Sequence, residues 1–364
     1  MRKEVIIIGN GIAGITLAVL LQRKGISFSL LHRKGEKPPF ALGETLPPSA
    51  MPFLQKLQLL NTFEENAYRK TYGYHSMWGS SRVTDINFYH HNPFKNGLKI
   101  NKYQTLEYMR DLIRDDMVSY TKGFEIIHEA HGNTVVLAKN DGVKMVQGQI
   151  LVDATGRNRA VLQKLKVDSE IHDELVAVSC HVPKIKHPKL THEVYVESFE
   201  QGWGIVSALN ETENICTMYT NKGHEILSKL KDISQCKSAL SETIYLKDFI
   251  AQVNQAKFKG GNANSSVAKR ISGSNWLALG DAAMSFDPLS SHGITNAIYT
   301  AARATETIEK KLSEADPDVF AEYGEAMQTI YQQYLISKNN LYRQETRWKD
   351  SEFWKQFFLV KDWY

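Results

Sequence analysis

The chain begins with an apolar run, Glu4-Val-Ile-Ile-Ile8. Gly9-Asn-Gly-Ile-Ala-Gly14 follows, and then Ile15-Thr-Leu-Ala-Val-Leu-Leu21. A short apolar run bounded by glycine predicts a buried strand, and the longer apolar stretch after it predicts a helix. Gly25 stands where a helix ends on glycine, and Ser27-Phe-Ser-Leu-Leu31 is a second strand-like run. The first thirty residues therefore read as a β-α-β unit. Pro47 and Pro48 introduce a helix from Ser49 to Leu60, with apolar Met51, Leu54, Leu57 and Leu60. Tyr72–Trp78 and Ile86–Tyr89 alternate and are aromatic, which predicts strands of a different sheet. Asn101–Thr105 leads into a helix reaching about Asp115, and strands are expected at 124–128, 134–137 and 143–152.

From Val176 to Thr220 the pattern is strand-rich: 176–182, 193–197, 204–208 and 215–219, with Gly202-Trp-Gly204 as an interruption. This predicts an antiparallel sheet with one face over a ligand chamber. Trp203 either lines that chamber or fills the core. Helices are expected at about 222–230 and 238–255. Trp276-Leu-Ala-Leu-Gly280 then reads as a buried strand returning to the first domain. The helix after it carries Ile294, Ala297, Ile298, Ala301 and Ile308 on one face. The last fifty residues look helical and aromatic.

This order predicts an α/β fold: a Rossmann-like dinucleotide domain, an inserted antiparallel-sheet domain, and C-terminal helices. The expected boundaries are 1–70, 100–170 and 265–315 for the first domain, 71–99 and 171–264 for the second, and 316–364 for the terminal segment.

Composition narrows the classes. The chain has 364 residues, 42% hydrophobic and 23% charged, which suits a soluble globular protein of about two domains. A net charge of +4, without a basic run carrying interleaved aromatics, gives no argument for nucleic acid. Cys180, Cys216 and Cys236 are odd in number and far apart, so neither a disulfide framework nor a zinc site is expected. A reducing, cytoplasmic compartment fits. His90-His91 reads as surface rather than as a metal ligand. Met1-Arg-Lys3 before an apolar run imitates a signal peptide, but Asn10 and three glycines interrupt it and no small-residue cleavage site follows. No other apolar run approaches the length of a membrane span.

The glycine turn carries the first chemistry. Gly9 permits the turn, Gly11 lets backbone approach a pyrophosphate, and Gly14 lets the helix pack close to the sheet. The helix N-terminus, at Ile12 and Ala13, offers free N–H groups and a positive dipole end. The second strand ends in His32-Arg33, where such domains usually place an acid for the ribose hydroxyls. Neutral His32 can still offer a ring-nitrogen acceptor, and Arg33 could lie against an adenine. Gly43-Glu44 falls in a loop where ligands bind in such sheets, so Glu44 is either a ligand contact or a solvated carboxylate. The strand ending in Asp153-Ala-Thr-Gly-Arg157 delivers a short acid and, at Gly156, a point of close approach. Gly280-Asp281 opens a second strand–loop–helix. Asp281 could bond a polyol linker there, and Pro288 to Gly293 and Ile294 lead into a helix N-terminus aimed at a ligand.

Together GNGIAG, LVDATGRNR and LALGDAAMSFDPLSSHGITNA resemble FAD-dependent monooxygenases of the hydroxybenzoate hydroxylase type, in that family's order and over most of the chain. The resemblance implies a glutathione-reductase type FAD domain. The first stretch would hold the ADP pyrophosphate, Asp281 the ribityl–phosphate region, and Pro288–Gly293 the isoalloxazine. GETLPPS at Glu44, GW at Trp203, DPLSSHG and RWKDSEFW look like the halogenase-like branch. Within that branch the short length is similar to flavoproteins that mature the tryptophylquinone cofactors of bacterial lysine and glycine oxidases. That implies oxygenation of an aromatic ring by a flavin hydroperoxide, with a tryptophan of a precursor protein as substrate. Hydroxylation or halogenation of a small aromatic metabolite, or a non-catalytic flavin-binding assembly factor, are the other readings. The halogenase WxWxIP motif is missing, its nearest counterpart being Gly202-Trp-Gly-Ile-Val-Ser207, and the family's arginine before the helix near 103 is replaced by Lys102. Glu44, His75 and His292 are the candidates for proton handling. No second GxGxxG serves NAD(P)H, so electrons come from transient NAD(P)H or an external donor.

Overall fold

The computed structural model describes residues 2–34, 40–90, 93–114, 117–120, 122–128, 134–186, 191–314 and 316–359. His91 of the histidine pair and Asp115, the expected helix end, lie outside them. The chain divides into two compact units, each built from three segments. The first comprises 1–37, 103–172 and 265–333, and the second 38–102, 173–264 and 334–364. Residues 38–70, expected with the dinucleotide domain, cluster with the second unit, and 316–333 cluster with the first.

In the first unit the strands 117–120, 28–33, 2–8 and 143–153 run parallel in that order. The long strand Val143–Asp153 then serves two partners. Its first half pairs antiparallel with Thr134–Lys139, which pairs in turn with Phe124–His128. Its last residues, Leu151 to Asp153, pair parallel with Trp276–Ala278. Val5 to Ile8 are fully buried, as their unbroken apolar run requires in a parallel sheet covered on both faces. The helices Ile12–Arg23 and Gly293–Glu314 belong to this unit. Ala301, Ala304 and Ile308 are fully buried along one face of the second of these helices.

The second unit holds a seven-stranded sheet and a three-stranded one. The large sheet has the order 259–262, 175–183, 213–221, 202–208, 194–199, 73–77, 84–87. All its pairings are antiparallel except 194–199 with 73–77. The small sheet runs Glu44–Leu46, Gly97–Ile100, Ala67–Thr71.

Three expectations about elements are corrected. The helix foreseen over 49–60 breaks into Met51–Lys56 and Leu60–Glu65. Gln58 takes a left-handed φ of 54°, and Leu59 N–H closes back on the Leu54 carbonyl, which ends the first helix. The helix foreseen over 238–255 is two short ones, Ile233–Ala239 and Leu246–Ala251. The second starts anew because the buried Glu197 carboxylate accepts from the N–H groups of Ile244, Tyr245 and Leu246. Gly202-Trp-Gly204 does not interrupt the sheet but lies inside the strand 202–208. A Cβ on Gly202 would stand 2.0 Å from the Tyr219 carbonyl oxygen, and one on Gly204 2.7 Å from a Leu246 methyl, so both glycines serve close packing.

Candidate functional site

The glycine turn of the first unit is built by contact. Gly9 has a φ of +117°, and a Cβ there would sit 2.2 Å from the Ala154 carbonyl oxygen. A Cβ on Gly14 would sit 1.9 Å from the Gly9 carbonyl oxygen. Gly11, the N-cap of the helix, has nothing within 4 Å of a built Cβ. Gly9 thus packs the turn against the end of the neighbouring strand, Gly14 packs the helix onto the turn's own backbone, and Gly11 faces open space. Among the described residues no side chain caps this helix, and its first turn holds no acid, so its N–H groups stay available to an anion.

That open space is a cavity of about 750 Å³ lined by Gly9, Asn10, Gly11, Arg33, Thr155 and Gly156, among others. The two strand ends foreseen as phosphate and ribose contacts therefore share one hollow. Four cations rim it: Arg33, Lys122, Lys139 and Lys164. The last three were not foreseen. They come from the bend before the strand 124–128, the strand 134–139 and the short helix 160–164, where single-sequence patterning reads only surface lysines. Lys139 is ion-paired to Glu125, and Lys164 lies 5.2 Å from the centre of the Phe124 ring. His32 is half-buried, and burial pushes its imidazole below the ordinary value, which favours the neutral ring.

Asp153 is fully buried, and both carboxylate oxygens serve the protein. One accepts from the Thr155 N–H and hydroxyl at 2.9 and 2.6 Å, and the other from the N–H groups of Val161 and Leu162 at 3.0 and 2.9 Å. Its effect on a ligand is therefore to shape the Ala154–Gly156 turn.

The second strand–loop–helix meets the first. A Cβ on Gly280 would stand 2.9 Å from the Cβ of Ala13, and the Gly280 N–H donates to the Thr300 hydroxyl at 2.8 Å. Asp281 keeps a partly exposed carboxylate 3.6 Å from Arg157 Nε. Arg157 also donates to the Ser285 hydroxyl at 3.2 Å and the Phe286 carbonyl at 3.0 Å. Arg159 is buried, with a left-handed φ of 45°. It donates to the Ala282 carbonyl, the Ser266 hydroxyl and the Ser266 carbonyl at 2.9, 3.0 and 3.1 Å. The two arginines of the DATGRNR stretch thus both hold the GDAAMSFDP stretch. Asp287 accepts from the Leu289 N–H, and the short 3-10 turn Pro288–Ser290 leads to the helix at Gly293. His292 is exposed at that helix start, and crowding atoms push its imidazole below the ordinary value. Gly293 is open to solvent, while Ile294 is buried.

In the second unit Glu44 and Lys102 come together, Oε1 to Nζ at 3.4 Å, with both side chains part-exposed. His75 is placed otherwise than a proton carrier needs. It is buried, and its Nε2 accepts from the N–H groups of Thr191 and His192 at 2.9 and 3.2 Å, which fixes it as a structural acceptor. Trp203 is core: 1% exposed, stacked on Tyr219 at 4.0 Å, with Nε1 donating to the Tyr342 hydroxyl. The three cysteines are free and buried, and burial pushes the Cys180 and Cys236 thiols up to about 12. They are packing residues. Among the described residues no cluster of His, Cys, Asp and Glu could hold a metal, and no helix is long and apolar enough to cross a membrane.

The cradle at Gly11, the uncapped helix start and the cationic rim fit the ADP half of a flavin dinucleotide. Comparison with known proteins agrees. The sequence model of the FAD binding domain family matches residues 2–336. Over 97% of this chain and 96% of its own length, a Marinomonas mediterranea protein named as an FAD-dependent oxidoreductase, LodB, is 28% identical. The flavin-dependent halogenase CmlS superposes with a TM-score of 0.85 at 20% identity, covering all of this chain and 68% of that one. The peptidyl tryptophan dihydroxylase QhpG, essential for tryptophylquinone cofactor biogenesis, superposes with a TM-score of 0.78 at 18% identity, covering all of this chain and 80% of that one.

Proposed function

The chain belongs to the FAD binding domain family, and from that premise we propose that this flavoenzyme is a monooxygenase acting on a tryptophan side chain in a precursor polypeptide. The product would be a step toward a tryptophylquinone cofactor. The observation that carries this reading is the likeness, over the whole chain, to a dihydroxylase whose substrate is a peptidyl tryptophan.

The residues divide the work as follows. Gly9 to Gly14, with the N–H groups of Ile12 and Ala13, would hold the pyrophosphate, and His32 and Arg33 the adenosine. Asp281, paired with Arg157, would accept from the ribityl chain. Pro288 to Ile294, with the N–H groups of Gly293 and Ile294, would hold the ring. Glu44 and Lys102, paired with each other, are further candidates for contact with the cofactor. When bound and reduced, the flavin supplies the activation of dioxygen. The protein's part is to hold an electron-rich indole in line and to keep water out. Glu44 and His292 are the candidates to move the proton that the oxygenated ring must lose. Electrons come from NAD(P)H in transit or from an external donor.

A second reading, halogenation or hydroxylation of a small aromatic, draws on the likeness to CmlS. The core position of Trp203, in the stretch nearest the halogenase motif, speaks against halogenation.

Mass spectrometry of a co-expressed candidate precursor decides between them. Oxygen added to a tryptophan of that polypeptide, dependent on this chain, is the expected result. An unmodified precursor, together with turnover of a small aromatic by the reduced flavoprotein, would overturn it.

A further inference from the structure

The cations around the hollow of the first unit are held in place by the protein itself. The Lys122 N–H donates to the Lys139 carbonyl and the Lys139 N–H to the Gly123 carbonyl, both at 2.9 Å. The bend before the strand 124–128 is thereby fixed to the end of the strand 134–139. The Lys139 ammonium is paired with Glu125, and Lys122 Nζ lies 3.3 Å from an Asp141 oxygen. Lys164 Nζ stands over the Phe124 ring, and Arg33 ends the strand 28–33 opposite Tyr120. Four separate segments thus bring positive charge to one rim.

The seat for a pyrophosphate is the helix start at Gly11, where the N–H groups are. The rim works by other means. Its cations are exposed, and an exposed ion pair contributes little to a bound state. Exposed charges nevertheless act on an anion still in solution, over a Debye length of about 10 Å at about 0.1 M salt. A concave surface lined by one sign of charge focuses that field. Glu125 and Asp141 offset two of the four cations, which leaves the rim a net charge of two, opposite in sign to a pyrophosphate. Asp153, the other carboxylate near the hollow, is buried behind the Ala154–Gly156 turn with its oxygens bonded to Thr155, Val161 and Leu162.

We propose that Arg33, Lys122, Lys139 and Lys164 form an electrostatic funnel that captures the dinucleotide from solution and delivers it to the glycine turn. The funnel sets the rate of cofactor uptake, whereas the helix start sets how long the cofactor stays. The proposal rests on the reading of this hollow as the seat of the ADP half of FAD.

The test is stopped-flow fluorescence of FAD mixed with the flavin-free full chain, from about 20 mM to about 300 mM salt, with dissociation followed after dilution. The parent's association rate should fall about tenfold over this range, as steered association does. A Lys122→Gln, Lys164→Gln double variant should take up FAD about fivefold more slowly at low salt and as fast as the parent at high salt, since the salt screens the charges it lacks. Its dissociation rate should stay within about twofold of the parent's. Asp141→Asn reverses the sign: with one carboxylate neutralised, uptake at low salt should become about twofold faster. Asp141 is fully exposed, so this variant carries the test if circular dichroism shows the double variant to fold poorly. A parent association rate that ignores salt overturns the proposal. So does a double variant that loses affinity through dissociation alone, or an Asp141→Asn that is no faster than the parent. A parent that takes up no FAD at any salt fails differently: the reading of the hollow as a flavin seat then falls, and the funnel with it.

Discussion

At the scale of single residues, the glycines of the first turn separate folding from binding. A Cβ on Gly14 would meet the Gly9 carbonyl, whereas one on Gly11 would meet nothing within 4 Å among the described residues. Gly14→Ala must push the helix off the turn, so it is expected to cost about 3 kcal/mol or more, in the range of severe core overpacking. Gly11→Ala should move the melting temperature little, since a cap change from glycine costs about 1 kcal/mol. Its FAD affinity should nevertheless fall more than tenfold, because the new methyl takes space the pyrophosphate needs. Thermal melts and FAD titrations of the two variants check this, and equal behaviour in both would sink the distinction. Lys99, buried in the strand Gly97–Ile100 where burial pushes its ammonium from 10.5 down to about 8, makes a second residue-scale prediction. Its folded pKa lies below its unfolded one, so between about 8 and 10.5 the unfolded chain binds more protons and stability rises with pH. The destabilising effect is complete below about pH 8, and relief across the window is on the order of 3 kcal/mol. Urea melts at pH 7.5 and 9.5 should therefore show the parent gaining on Lys99→Met, and parallel changes in the two would refute the assignment.

At the scale of elements, the legible parts were those whose function is carried by local pattern. GNGIAG between Ile8 and Ile15 announces strand, turn and helix within one stretch of chain, and the structure returns the strand at 2–8 and the helix at 12–23. The meeting of Ala13 with Gly280, and the cation rim from Lys122, Lys139 and Lys164, depend on pairings between distant segments that no local period encodes. Trp203 was undecided for the same reason, because its core partners Tyr219 and Tyr342 are set by tertiary packing. The two arginines after the DATG turn show how far apart neighbouring roles can be. Arg157 is part-exposed and orients the Asp281 carboxylate, while Arg159 is buried with its donors on backbone and serine oxygens. Arg159→Ala should destabilise by about 3 kcal/mol, since it strands buried acceptors at once. Arg157→Ala should cost about 1 kcal/mol in stability, as an exposed pair does, but weaken FAD several-fold by freeing Asp281. Melting and FAD titration of both variants test the split, and a large stability loss at Arg157 with intact FAD binding would contradict it.

At the scale of the whole molecule, both units are assembled from three separated segments, so neither can be cut out as one stretch. Of residues 316–364, expected as one appended helical segment, 316–333 cluster with the first unit and 334–364 complete the second. Tyr342, Phe353 and Trp354 are fully buried there. Trp78 Nε1 donates to the Leu341 carbonyl, Trp203 Nε1 to the Tyr342 hydroxyl, and Trp354 Nε1 to the Phe199 carbonyl. Glu345, fully buried, accepts from the Gly79 N–H and the Ser198 hydroxyl and is bridged by Arg347. Ending the chain after Gln344 would remove Phe353 and Trp354, each worth about 3–5 kcal/mol as a large-to-small deletion. It would also strand the Gly79 N–H donor. That loss is comparable with the 5–15 kcal/mol that holds an ordinary domain together. The truncated chain is therefore expected to lose the second unit's near-ultraviolet circular dichroism from its tryptophan cluster. The first unit, ending at 333, keeps all its segments and should still take up FAD. Flavin uptake and near-ultraviolet spectra on one preparation check both halves of this expectation. A truncated chain with a parent-like spectrum would show the terminal segment to be an ornament rather than a structural part of the second unit.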